Sequence, residues 1–220
     1  CSIIKYVGGG AGSTSVGHGL SSTPSAIFIK HLDGGTQKWQ SWFKGFGTSG
    51  TVKRLYLNEG TAQDTTTDNY YYPDATKINF ASGDHYYNSS SVTYMAFCFS
   101  DITGFSKAGI YTGNASSNGP FIYTGFKPQW TMIKRFDDIN DWNIQDTARQ
   151  IYNGQDGVSL QANENKSESN IGTGFTREFY SNGFKITNGG TETNASGGSY
   201  VYLAFGQTIV GSNNIPATAR

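Results

Sequence analysis

The chain has 220 residues with 16 Lys plus Arg against 16 Asp plus Glu, so its formal net charge is zero and only 15 % of it is charged, against roughly 25 % in an ordinary soluble domain. A neutral chain without a basic run argues against nucleic acid, whose affinity rests on phosphate contacts, and no apolar run approaches the ~20 residues of a membrane span. The 29 glycines, with abundant Ser, Thr and Asn, point to a turn-rich chain whose surface is made of hydroxyls, amides and aromatic edges.

In chain order, residues 3–7 (Ile-Ile-Lys-Tyr-Val) read as a strand closed by the glycine-rich run 8–13. That run lacks the Gly-Lys-Ser/Thr of a phosphate loop and reads as a hairpin loop. Residues 16–20 are a second short extended piece. Pro24 then leads into 26–30, whose nearly continuous apolar residues suit a strand covered on both faces. After the turn Asp33-Gly34-Gly35 come strands at 39–43 and 52–57, a polar loop over 58–69, the run Tyr70-Tyr71-Tyr72, a short strand at 78–80 and a closing strand at 92–99. Both faces of that last strand are apolar, so it should be central. Further strands are expected at 109–112, 120–124, 130–135, 142–145, 157–161, 175–180, 184–187 and 199–206, with turns at Asn153-Gly154, Asn182-Gly183 and Asn188-Gly189-Gly190. A helical turn is expected over 146–152, and 211–220 reads as an extended tail. Cys1 and Cys98 are the only cysteines. Cys98, inside an apolar strand, reads as a small core residue rather than half of a disulfide. The start at Cys1, without methionine and with strand-like sequence at once, reads as an excerpt of a longer protein.

The chain repeats itself. Pro24-Ser25-Ala26-Ile27-Phe28-Ile29-Lys30 returns as Pro128-Gln129-Trp130-Thr131-Met132-Ile133-Lys134, Trp39 as Trp142, and Tyr94-Met95-Ala96-Phe97 as Tyr202-Leu203-Ala204-Phe205, at offsets of 104, 103 and 108. Landmarks in one order at nearly one offset read as an internal duplication. The expected architecture is all-β: an antiparallel β-sandwich, jelly-roll or concanavalin-A-like, built from two repeats of about 105 residues, 1–108 and 109–210. Because open sheet edges invite pairing, the repeats are expected to share one sandwich. The proline-to-lysine segments then serve the scaffold as a central strand pair. Function falls to the loops where the copies differ, 33–38 against 136–141 and 58–76 against 162–174.

No motif for chemistry stands out. There is no Gly-x-Ser-x-Gly, His-Glu-x-x-His or Cys-x-x-Cys, and His18, His31 and His85 lie apart without metal-ligand spacing. Asp137, Asp138 and Asp141 form one acidic cluster of hard oxygen ligands. It lacks the spacing of a calcium loop, and the first copy offers only Asp33, so a solvated turn is the reading and no metal or cofactor is expected. Four Asn-x-Ser sequons, at Asn88, Asn114, Asn165 and Asn194, are close to chance in such a chain and matter only in a glycosylating cell. The aromatics carry more. Trp39 and Trp142 recur and read as framework, whereas Tyr70, Tyr71, Tyr72, Tyr86 and Tyr87 lie in turn-rich polar segments. Exposed rings amid Asn, Asp and Thr suit sugar rings or protein interfaces; the competing role is filling a sandwich core. The candidate receptor- or glycan-binding set is Tyr70, Tyr71, Tyr72, Tyr86, Tyr87 and Trp42, with Asp137, Asp138 and Asp141.

Residues 119–135, Gly-Pro-Phe-Ile-Tyr-Thr-Gly-Phe-Lys-Pro-x-Trp-x-x-Ile-Lys-Arg, then Trp142 with Asp146-x-Ala-Arg149, and the ending from Tyr200 to Arg220 resemble a family found in bacteriophage tail-fibre and related virion proteins. The resemblance spans nearly the whole chain and is most specific in its second half; the first repeat is more degenerate. It implies a lectin-like β-sandwich displayed on a phage particle, with no catalytic residues to carry over. The expectation is a non-enzymatic virion module, a tail-fibre or receptor-binding domain. Its partners would be other virion proteins, a host surface glycan or protein, and further copies of itself, as fibre tips are symmetric homo-oligomers. The alternatives are a capsid decoration or fibre-shaft subunit, and a polysaccharide depolymerase, which needs two carboxylates about 5–10 Å apart in a groove.

Overall fold

The computed structural model describes residues 1–149, 153, 158–170 and 176–206. Its strands fall into two compact units, Cys1–Ser100 and a second beginning at Asp101. The first holds β1 (Ser2–Val7), β2 (Thr14–Gly17), β3 (Ala26–His31), β4 (Gln40–Phe43), β5 (Val52–Tyr56), β6 (Asp64–Thr66), β7 (Tyr71–Pro73), β8 (Lys77–Phe80) and β9 (Thr93–Phe99). The second holds β10 (Ser106–Thr112), β11 (Phe121–Tyr123), β12 (Pro128–Arg135), β13 (Asn143–Asp146), β14 (Val158–Gln161), β15 (Ser169–Asn170), β16 (Arg177–Tyr180), β17 (Gly183–Ile186), the four-residue helix α1 (Thr191–Asn194) and β18 (Ser199–Gly206).

Each unit is an antiparallel sandwich of a large and a small sheet. The orders are β1-β9-β3-β4-β5-β6 with β2-β8-β7, and β10-β18-β12-β13-β14-β15 with β11-β17-β16. Adding nine to each strand number of the first unit produces the second. Every described ladder joins strands of one unit. The strands that carry Lys30 and Lys134 are inner, β3 between β9 and β4 and β12 between β18 and β13, in separate sheets rather than paired with each other.

The ladder also corrects one landmark. His31 faces Tyr94 across β3–β9 and Arg135 faces Tyr200 across β12–β18. Tyr200, not Tyr202, therefore stands where Tyr94 stands. A shift of two leaves every side chain on its original face, so alternation alone cannot reveal it.

Between the sheets of the second unit, Ile133, Tyr200, Tyr202 and Ala204 from the large sheet pack with Ile122, Phe179, Phe184 and Ile186 from the small one. In the first unit Tyr6 stacks on Phe80 and Tyr94 at 5.5 and 5.3 Å. Each large side chain taken fully from water contributes about 1.5–3 kcal/mol. Cys98 is buried and Cys1 exposed, both free thiols. Strands β6 and β7, in stretches read as loop, are three residues each and too short to show a period. The helical turn expected over 146–152 begins at the end of β13, and 150–152 lie outside the described residues, as do Gly154 and the tail 211–220.

A buried asparagine closes each sandwich. The Asn88 side-chain oxygen accepts from the Gly9 N–H at 2.9 Å, and its amide donates to the carbonyls of Ala11 and Ser82, both at 2.9 Å. The Asn194 oxygen accepts from the Asn114 N–H at 2.8 Å, and its amide donates to the carbonyls of Ser116 and Asn188. Two tyrosines lock the same segment. Tyr6 and Tyr111 donate to the carbonyls of Tyr87 and Thr193 at 2.6 and 2.7 Å. Tyr94 and Tyr200 accept from the N–H groups of Ser89 and Ala195 and donate to the carbonyls of His85 and Thr191. The chains pass so closely that a Cβ at Gly8 or Gly113 would lie 2.2 or 2.4 Å from the carbonyl oxygen of Ser89 or Ala195. Two of the four sequons are thus structural, with Asn88 and Asn194 buried. Replacing either by Ala strands several buried backbone groups and should cost about 2–4 kcal/mol of unfolding free energy, read by urea denaturation; a loss under 1 kcal/mol would contradict the lock.

Candidate functional site

Of the aromatic candidates, Trp42, Tyr71 and Tyr87 are core residues. Trp42 donates its Nε1–H to the Gly47 carbonyl at 3.0 Å. Tyr71 packs on Tyr87 at 5.2 Å, and Tyr87 stacks on Phe80 at 5.6 Å. Alternation on β7 sends Tyr71 inward and leaves its neighbours Tyr70 and Tyr72 half-buried, 6.1 Å apart. Tyr86 is also half-buried and sits on Tyr56 at 5.7 Å and on the exposed His85 at 3.9 Å.

Beside Tyr86 lies an ionic frame that the sequence reading missed, because its members come from four segments. Arg54 on β5 binds Asp64 at 2.7 Å, Asp84 at 3.5 Å and the Asn69 carbonyl at 3.2 Å. The Tyr56 hydroxyl donates to Asp64 at 3.1 Å, and burial pushes that phenol well above its ordinary range. Lys38 lies 4.3 Å from the Tyr56 ring and pairs with Glu59 at 2.9 Å. The carboxylates of Asp64 and Asp84 are both bound to one guanidinium, an arrangement that fixes the loop carrying Tyr86.

The acidic loop after β12 splits its carboxylates. Asp137 and Asp138 bind Arg135 at 2.8 and 3.1 Å, whereas Asp141 accepts from Gln161 at 2.9 Å and Asn163 at 2.7 Å. Among the described residues no group of three His, Cys, Asp or Glu could hold a metal ion. The recurring lysines hold these loops: Lys30 donates to the Gln37 carbonyl at 2.6 Å and Lys134 to those of Arg135 and Asp138. Trp39 and Trp142 receive matching support, their N–H groups donating to Asn58 and Asn163 at 2.7 and 2.8 Å.

A second aromatic surface lies on the outer face of β11-β17-β16. Cross-strand rows place Phe121, Lys185 and Glu178 in one line and Tyr123, Gly183 and Tyr180 in the next. Phe121, Tyr123 and Tyr180 remain 46, 60 and 38 % exposed. Phe121 reaches across Gly183, where an added Cβ would come within 2.8 Å of its ring, and meets Tyr180 edge to face at 5.9 Å. Lys107 lies 5.2 Å from the Tyr123 ring. At the same positions of β2-β8-β7 the ladder places Ser15 and Gly17, and Asp74 follows directly after β7, its N–H donating to the Lys77 carbonyl at 2.9 Å. Asp74 there binds the Asn79 amide at 2.9 Å and the N–H groups of Thr76 and Lys77, which hold its carboxyl far below the usual range. One topology thus carries Phe121, Tyr123 and Tyr180 on one outer face where the other has Ser15, Gly17 and Asp74, its half-buried ring Tyr72 standing instead at the position of Glu178. Phe121-Ile122-Tyr123 alone did not reveal this surface, because Phe and Ile favour burial alike; the pairing of β11 with β17 turns Ile122 inward and leaves Phe121 and Tyr123 outside.

Fold and surface together define an antiparallel β-sandwich protein with aromatic rings left on its outer surface. The chain belongs to the family described as a domain of unknown function, DUF7483, which it matches over residues 1–208. No curated protein and no solved structure matches it.

Lys134 is fully buried, and desolvation, partly offset by Asp141, lowers its pKa to about 8. An unfolded lysine titrates near 10.4, so between about pH 8 and 10.4 the unfolded chain binds more protons. Stability contributed at this site therefore rises with pH across that window, by up to about 3 kcal/mol. Buried tyrosines such as Tyr200 and Tyr202, raised to about 12 by desolvation, act oppositely above about pH 10, where unfolded phenols lose protons first. Urea titrations should show the alkaline gain between pH 8 and 10 in the parent and its loss in Lys134→Met; parallel pH profiles would contradict it.

Proposed function

We propose that the chain is a non-enzymatic attachment module of a phage virion, a tail-fibre or receptor-binding domain that holds a bacterial surface saccharide through the outer aromatic face of its second unit. The observation that carries this reading is the contrast between equivalent positions: Phe121, Tyr123 and Tyr180 against Ser15, Gly17 and Asp74. The first unit folds with short polar groups at those positions, so the rings answer to something other than the scaffold. Flat rings with a hydroxyl or ammonium at the edge match a sugar, which presents C–H groups on one face and hydroxyls around its rim. The resemblance to tail-fibre proteins supplies the setting, in which virion partners and copies of the chain hold the module at a particle surface.

The second reading, a capsid decoration or fibre-shaft subunit, draws on the same exposed rings, which would then pack against a neighbouring virion protein. Purified chain should bind bacterial cells or their extracted surface polysaccharide. Phe121→Ala and Tyr123→Ala should each weaken binding about tenfold or more without a comparable loss of stability, and Ser15→Ala should leave it unchanged. Absence of binding by a folded chain, with the rings covered in an intact particle, would favour the structural subunit instead.

A further inference from the structure

The interior of the first unit changes character along its large sheet. Under β1, β9 and β3 it is apolar, but under β4 and β5 it is not. Gln40 is fully buried, and neither its Oε1 nor its Nε2 has a hydrogen-bond partner; Tyr71, 2 % exposed, has none for its hydroxyl. Both line a small cavity of about 10 Å³ with Trp42, Arg54 and Thr66. Native interiors seldom leave such groups bare, because each has given up water for nothing.

The second unit is polar at the same place. By ladder position Asn143 stands where Gln40 stands, and Arg177 where Tyr71 stands. There the Asn143 side-chain oxygen and both ends of the Gln145 amide lack partners. Two sandwiches of one topology thus carry unmatched polar groups at one point of the interior, which a chance packing fault would not repeat.

The groups around the first cavity define what would satisfy them. A carboxamide offers a donor and an acceptor, and a phenol either one. Of the two cations that line the cavity, Arg54 is already held by Asp64 and Asp84 and Lys53 is not free either, so no anion is demanded. We propose that this cavity is a built site for one neutral hydroxyl, bridging the Gln40 amide and the Tyr71 oxygen. Its volume is that of about one water molecule. A water molecule and a saccharide hydroxyl share this chemistry; only the second source rests on the function proposed above.

The test is a high-resolution crystal structure of the full chain, grown without polyols and then soaked with glucose. One water within hydrogen-bond distance of Gln40 and Tyr71 is expected, and its persistence in the soak assigns water as the occupant. Its replacement by a sugar hydroxyl assigns the saccharide, while an empty cavity overturns the proposal. In solution, Tyr71→Phe and Gln40→Leu should each lower Tm by about 4–8 °C, since each breaks the bridge. A dry cavity has the opposite consequence: deleting an unmatched polar group raises Tm, and that result would also overturn it.

Discussion

The buried side-chain amides of Asn88 and Asn194 set the condition that the rest of each unit satisfies. Each amide binds backbone on both sides of a crossing between the loop after the first strand and the segment before the last. Those two strands are neighbours in the large sheet, β1 with β9 and β10 with β18. The intervening chain must return to this point, and the tyrosine pairs Tyr6–Tyr94 and Tyr111–Tyr200 stack alongside to hold it there. Loop backbone that enters the interior needs partners for its N–H and carbonyl groups, and a carboxamide supplies a donor and an acceptor without introducing charge.

Charge is used sparingly in the same spirit. Arg54 and Arg135 each gather two carboxylates, and the buried cations Lys134 and Arg177 are carried by carbonyl and hydroxyl oxygens. Desolvation lowers the pKa of Arg177 to about 9, which measures how reluctantly such an interior accepts an ion. A chain with so few charged residues positions its loops with neutral hydrogen bonds, and its outer faces are left to hydroxyls, amides and rings.

That division separates scaffold from function. The inner faces of the small sheets are apolar apart from Arg177, with Val16 and Ile78 in one matched by Ile122 and Phe184 in the other. Their outer faces are free to diverge, because no neighbouring layer within the unit constrains them. Divergence there, from Ser15 to Phe121 and from Gly17 to Tyr123, changes what the surface can hold without touching the core.

The sequence by itself determined the all-β class, the inner place of the strands at 26–30 and 130–135, the central place of the strand at 92–99, and the buried place of Trp142 but not the half-buried one of Trp39. Each rests on local alternation or recurrence, which the backbone period converts directly into faces. It could not decide which tyrosine of a run points inward: Tyr70, Tyr71 and Tyr72 are chemically identical, and only the pairing of β7 with β8 turns Tyr71 into the core. Nor could it assemble Arg54 with Asp64 and Asp84, or set Phe121 and Tyr123 beside Tyr180, since those meetings depend on strands distant in the chain. Tertiary structure alone decided that Asn88 and Asn194, which resemble surface sequons, are the buried closures of their sandwiches, because an asparagine's place depends on which backbone groups need its amide.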